Sequence, residues 1–89
     1  MARIMITPEQ VQDAARQFES ASQESQNLIS RLRGTMSSVE SQWEGVSKQR
    51  FYQDYQQWQN QMSQFVDLLR QISQQLQATA ERFRQVDQG

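Results

Sequence analysis

The 89-residue chain contains no cysteine and no histidine. Their absence removes disulfides, thiol nucleophiles, imidazole acid–base chemistry and the usual zinc ligands together. Nine basic and ten acidic residues are spread along the chain for a net charge of −1, so no field gathers nucleic acid or anionic lipid. No segment approaches the roughly 20 apolar residues needed to span a bilayer. The start, Met1-Ala2-Arg3-Ile4-Met5-Ile6, has one positive charge but too short an apolar run for a signal-peptide core. Any export is therefore expected to use a route that needs no classical leader.

What is present favours helix. There is a single proline, 36% of the residues are hydrophobic, and roughly a fifth are glutamine, a straight-chain helix former. The composition predicts long helices with a thin apolar seam. The chain forms one domain, 1–89, small enough that oligomerisation is expected to help bury its apolar surface.

Thr7 reads as an N-cap, with Pro8 at the first helical position and Gln10 placed to complete a capping box; residues 1–6 read as an extended lead-in. From Pro8 the inward candidates are Val11, Ala15, Phe18, Ser22, Ser25, Ile29, Leu32, Met36, Val39 and Trp43. Their spacing alternates four and three, a 3.5-residue repeat. Ser22 and Ser25 are weak layers in this seam; they let two helices approach closely or face a bulky side chain of a partner. Gly34 costs helix stability, yet the repeat continues in phase beyond it, so one helix is predicted over 8–42.

After a corner at 43–46 the repeat restarts with Phe51, Tyr55, Trp58, Met62, Phe65, Leu69, Ile72, Leu76, Thr79, Phe83 and Val86, predicting a second helix over 47–86. Ala14, Ala21 and Leu28 flank the first seam, and Tyr52, Val66, Leu68 and Ala80 flank the second. Both stripes are therefore wider than a two-helix contact requires. Asp67 with Arg70 and Glu81 with Arg84 are spaced to pair on the outer face. Helices of this length are about 50–60 Å long, and so short a corner folds them back antiparallel. The fold class expected is all-α: a two-helix hairpin that pairs into an antiparallel four-helix bundle dimer.

Several functional readings fail on inventory. Glu40 and Glu44 share a helix face, but bundle metal sites draw carboxylates from several helices together with histidine, and none exists. Neither catalytic residues nor a cofactor or metal is expected. The basic doublets Arg31 with Arg33, Lys48 with Arg50, and Arg82 with Arg84 do not gather into one stripe, which argues for solvated surface over nucleic-acid binding. Phe51, Tyr52, Tyr55 and Trp58 lack the lysine-rich opposite face of an interfacial helix, so they read as core and membrane contact is not expected. For Trp43-Glu44-Gly45 two readings stand. Gly45 stops the first helix in a left-handed conformation while Trp43 closes the bundle end, or the indole is a recognition handle with a large contact area and a polar tip.

A central Trp43-Glu44-Gly45 between two long helical arms, preceded by Ser41-Gln42 and followed by Phe51, resembles the Trp-Xaa-Gly (WXG) family of small early-secreted-antigen-like proteins, over the whole chain. The resemblance implies a helical hairpin exported by the type VII secretion machinery. It also implies a homodimer of the Gram-positive kind, with a paralogue as an alternative partner and a secretion ATPase as the reader. The family carries an export signal just past the second helix. Phe83-Arg84-Gln85-Val86-Asp87 matches the opening of its broader form, an apolar residue with an acid four later, and the further apolar positions of that form would fall beyond Gly89. The recognition residues expected on this basis are Trp43, Glu44, Gly45, Phe83 and Asp87. The protein is then extracellular after a cytoplasmic stage. An intracellular coiled-coil adaptor or targeting chaperone for a larger helical client is the alternative.

Overall fold

The computed structural model describes residues 6–88, with side chains to Val86. Most of the expected lead-in over residues 1–6 thus lies outside the described residues. Two helices make up the fold: α1 over Pro8–Glu40 and α2 over Val46–Gln88. The hairpin measures 66 × 22 × 16 Å, and its long dimension is close to the roughly 64 Å that 43 helical residues span at 1.5 Å each.

α1 begins as its sequence dictates. The Thr7 hydroxyl accepts from the Gln10 backbone N–H at 3.2 Å, and the Thr7 N–H donates to the Gln10 side-chain carbonyl at 2.9 Å. Two otherwise orphaned donors are satisfied, and Pro8 occupies a position that needs none. Gly34 stays helical within α1. Among the described residues the ion pairs are Asp13–Arg16 at 2.6 Å and Glu81–Arg84 at 3.5 Å; Asp67 and Arg70 do not form the pair their spacing suggests.

The helices are held in register by hydroxyl groups. Ser22 Oγ donates to the carbonyl of Val66 at 3.1 Å, and Ser73 Oγ donates to the carbonyl of Ala15 at 2.8 Å. Each serine thus reaches the carbonyl one heptad before the other serine, so the two bonds are related by an approximate twofold axis. A hydroxyl lies only one bond beyond Cβ, so both contacts require the backbones to sit near the lower end of the usual 8–10 Å interaxial range. Ser22 and Ser73 are fully buried, beside Ala15 and Ala80 at 0% and 1% exposure. Nearer the corner Tyr52 Oη donates to the Met36 carbonyl at 3.1 Å and Lys48 Nζ to the Glu40 carbonyl at 3.3 Å. In all four pairs the residue numbers add to 88, so the register holds from the corner to Ser73 and its centre falls on Glu44. At the open end the Arg84 guanidinium donates to the Gln12 side-chain carbonyl.

The inner contact of α1 follows the expected seam at Val11, Ala15, Ser22 and Ile29, with Phe18, Ser25 and Met36 half-buried. On α2 the contact is turned one residue from expectation. The buried residues are Val66, Leu69, Ser73 and Ala80, while Tyr55, Met62, Ile72, Leu76, Thr79 and Phe83 are half-buried. Leu32, Val39, Trp58 and Phe65, expected in the hairpin or dimer core, with Trp58 in a layer shared with a partner, are exposed on the single hairpin at 43%, 40%, 46% and 52%, and Val86 is exposed as well. Closely spaced helices take serine and alanine at their tightest points, and stripes wider than one helix contact leave further apolar side chains beside it.

Leucine at Ser22 or Ser73 should therefore destabilise the hairpin although it looks like the better core residue. Ser22→Leu and Ser73→Leu are each expected to cost roughly 1–3 kcal/mol from overpacking. Ser22→Ala and Ser73→Ala should cost about 1 kcal/mol, the net value of one hydrogen bond. Urea unfolding followed by circular dichroism at one fixed protein concentration checks the order; leucine variants as stable as the parent would contradict it.

Candidate functional site

The corner at Trp43-Glu44-Gly45 is built from the end of α1 forwards. α1 ends at Glu40, two residues before the predicted end, because its last four carbonyls find other donors. The Ser41 N–H bonds the Ser37 carbonyl at 3.2 Å and the Ser41 hydroxyl bonds Ser38 at 2.7 Å. The Gln42 and Trp43 N–H groups reach back three residues to Val39 at 3.0 Å and Glu40 at 3.3 Å. These shorter reaches tighten the chain into a final turn and leave none of the four carbonyls orphaned. α1 carries no basic residue in its last turn, and Lys48 supplies the missing cation from the start of α2, where it is half-buried. Lys48 is thus a structural residue and not part of the freely solvated surface expected from its pairing with Arg50.

Gly45 has φ of +114°, a region that other residues enter only with strain. It does not stop α1, as expected from sequence: Ser41 caps that helix in an ordinary right-handed conformation. Gly45 instead directs the chain into α2, which begins at the next residue.

Trp43 also differs from expectation, since it stands outside both helices and is not a last seam layer of α1. It is half-buried and packs back on the first turns of α2, its ring centroid 5.4 Å from that of Phe51 and 6.4 Å from that of Tyr52. Its indole N–H donates to the Ser47 hydroxyl at 3.3 Å. The polar tip of the tryptophan is therefore engaged by its own chain, and Glu44 beside it is exposed. Desolvation pushes the Tyr52 phenol above the ordinary tyrosine pKa, with smaller contributions from Glu40 and Tyr55. A phenol that keeps its proton can go on donating to Met36.

The other half of the expected recognition set lies at the opposite end of the molecule. Phe83 is half-buried on α2 near the chain termini, and the helix continues through Asp87 to Gln88; the side chain of Asp87 is outside the described residues. The Phe83–Asp87 segment is thus helical and not past the helix, as the resemblance implied. Within one chain the hairpin does not bring Phe83 or Asp87 to Trp43: nearly the whole length of α2 separates them.

Between the two ends the hairpin has two unlike faces. One presents an open apolar groove in which Leu28 and Leu32 of α1 face Trp58, Met62 and Phe65 of α2, with Ser25 and Ile29 also lining it. The other is polar, and there Gln26, Ser30 and Arg33 face Ser63, Asp67 and Arg70. Among the described residues no group of three acidic side chains converges as metal ligands do, and no helix is long and apolar enough to cross a membrane.

Comparison with known proteins places this corner. The family described as proteins of 100 residues with WXG matches residues 3–88. The chain belongs to the WXG100 family. Its relatives include protein YukE of Bacillus subtilis, 36% identical over 85 residues that cover 96% of this chain and 88% of YukE. The type VII secretion system extracellular protein A of Staphylococcus aureus is 30% identical over 88 residues, covering 99% of this chain and 91% of that protein. Among solved structures, the secreted protein EsxB of Bacillus anthracis superposes with a TM-score of 0.82 at 38% identity, covering 98% of this chain and 99% of that one. EsxA of Geobacillus thermodenitrificans superposes at 0.84 with 32% identity, covering 97% and 94%. The helical hairpin is thus the WXG100 fold, and the corner carries the family's defining tripeptide.

The two internal glycines give a test of the corner's backbone. A Cβ built at Gly34 or at Gly45 meets nothing within 4 Å, so in either case backbone conformation alone sets the effect of alanine. Gly34→Ala is expected to stabilise by about 1 kcal/mol, since alanine is the better helix former. Gly45→Ala should destabilise by about 1 kcal/mol or more, because its positive φ becomes strained. Thermal unfolding of the two variants side by side should move the midpoint in opposite directions.

Proposed function

We propose that the protein is a non-enzymatic substrate of a type VII secretion system, exported as a folded antiparallel homodimer to the extracellular space after assembly in the cytoplasm. The observation that carries this reading is the uncovered apolar face. Leu28, Leu32, Trp58, Phe65 and Leu68 are all between 43% and 52% exposed on one chain, an arrangement that soluble monomers seldom leave open to water. A second hairpin laid antiparallel on that face completes a four-helix bundle, and an obligate interface of this kind buries on the order of 2,000 Å² or more. The extracellular naming of the Staphylococcus aureus relative and the secreted naming of the Bacillus anthracis one support the destination.

Antiparallel pairing gives the corner a function that one chain cannot give it. Trp43 of one hairpin lies beside Phe83 and Asp87 of the other, so a recognition surface for a secretion ATPase forms only in the dimer, twice, once at each end. Because that surface is composite, the folded pair and not the single chain is the exported species. A paralogue with a matching face would complete the same surface.

Two experiments check this reading. Sedimentation equilibrium should report a dimer at micromolar concentration; a stable monomer there would overturn the homodimer and reassign the groove to a helix of another protein. Trp43→Arg and Asp87→Ala should each abolish appearance of the protein in the culture medium while circular dichroism still reports folded helix. Unchanged export of both variants would refute the composite surface.

A further inference from the structure

A single side chain joins the corner to the uncovered face. Phe51, in the second turn of α2, has its ring centroid 5.4 Å from that of Trp43 and 5.8 Å from that of Trp58, the latter edge-on at 73°. Tyr55 stacks against it at 5.8 Å and 17°, and Tyr52 meets it edge-on at 5.6 Å. Rings therefore surround Phe51, and it cannot turn without displacing one of them. Trp43, at one end of this row, belongs to the corner. Trp58, at the other end, is 46% exposed in the apolar groove.

We infer that Phe51 is a positioning residue that couples cover of the apolar face to the orientation of Trp43, so that a second copy seated on Trp58 also orders the corner of the hairpin it covers. The inference rests on the homodimer reading. A partner shifts a conformational equilibrium only through interactions that differ between the two states; the difference here is the cover of Trp58. In a single hairpin half of that indole faces water and is free to exchange rotamers, whereas a hairpin packed on it selects one. Edge-to-face geometry then limits the tilt open to Phe51, and through Phe51 the tilt open to Trp43. Trp43 responds because it lies outside both helices and its side chain is held by one hydrogen bond, to Ser47, and by ring contacts, to Phe51 and to Tyr52. Dimer assembly would thereby act on the recognition corner twice, by bringing up the partner's C-terminal end and by setting the corner's own tryptophan.

Trp43 and Trp58 are the two tryptophans of the sequence, so Trp58→Phe leaves Trp43 as the sole indole and keeps a ring beside Phe51. Acrylamide quenching of that protein is measured along a dilution series, with sedimentation equilibrium on the same samples. Quenching of Trp43 should rise over the concentration range in which the dimer dissociates. Adding Phe51→Leu should remove that change while the dissociation curve remains. A dimer that dissociates with no change in Trp43 quenching overturns the coupling and leaves the homodimer reading intact. Full retention of the change in the Phe51→Leu protein also overturns it, because the partner then acts on Trp43 by direct contact. Absence of a dimer at every concentration removes the homodimer reading and the coupling together. Should Phe51→Leu lose its helical circular dichroism, Phe51→Met, longer and more adaptable, takes its place in the same measurement.

Discussion

Two serine hydroxyls and two alanines decide how closely α1 and α2 approach, and most of the molecule follows from that distance. Ala15 and Ser22 on one helix and Ser73 and Ala80 on the other are the most completely buried positions of the contact, and none of the four has a side chain longer than a hydroxymethyl group. Each hydroxyl crosses to a carbonyl of the opposite helix, which satisfies a buried polar group and penalises slippage in either direction. A slip by one residue would leave both hydroxyls without their acceptors. Apolar side chains that this contact does not cover collect along one edge and create the groove of Leu28, Leu32, Trp58 and Phe65.

The same register fixes the corner. If paired residue numbers add to 88 along the hairpin, the chain must reverse about Glu44, and the segment between Glu40 and Val46 has to turn through half a circle in a few residues. Glycine at position 45 admits the positive φ that this reversal uses, and Lys48 closes the carbonyl end of α1 from across the turn. Trp43 then has its flank against Phe51 and its N–H on Ser47, which leaves the corner compact without being part of either helix.

Much of this was legible in the sequence, and each miss has a physical cause. The helix starting at Pro8, the two-helix architecture and the excess width of both stripes follow from capping chemistry and from a 3.5-residue repeat, which are local signals. The face of α2 that meets α1 was only partly legible: Leu69 is buried as expected, but Phe65 and Ile72 look more like core than Ser73 and Ala80. Heptad reading ranks residues by hydrophobicity, whereas the tightest points of the hairpin select them by size. Ser73 had no sequence signal beyond small residues recurring at heptad spacing. The role of Lys48 was hidden for a different reason: it caps a helix that ended eight residues earlier, and only the turn brings them together. At the corner, the sequence suggested a tryptophan and a positive-φ glycine but assigned both to the end of α1, since cap chemistry cannot show how many residues a turn will consume.

A hairpin organised by small residues is a poor independent domain. Burial of serine and alanine removes little apolar surface from water, and the larger buried side chains amount to Val11, Ile29, Val66 and Leu69. Hydrophobic stabilisation scales with apolar area removed from water, while the entropy cost of ordering the backbone scales with the number of residues fixed. Two helices spanning most of an 89-residue chain incur the second in full and, alone, recover only part of the first. The apolar area that would redress the balance is present on the chain and lies on the open face. If the proposed homodimer covers that face, folding and self-association draw on the same residues, and the face that completes the core also selects the chain that can cover it. With its small residues committed to register, the chain has its remaining stability to gain from whatever covers its large ones.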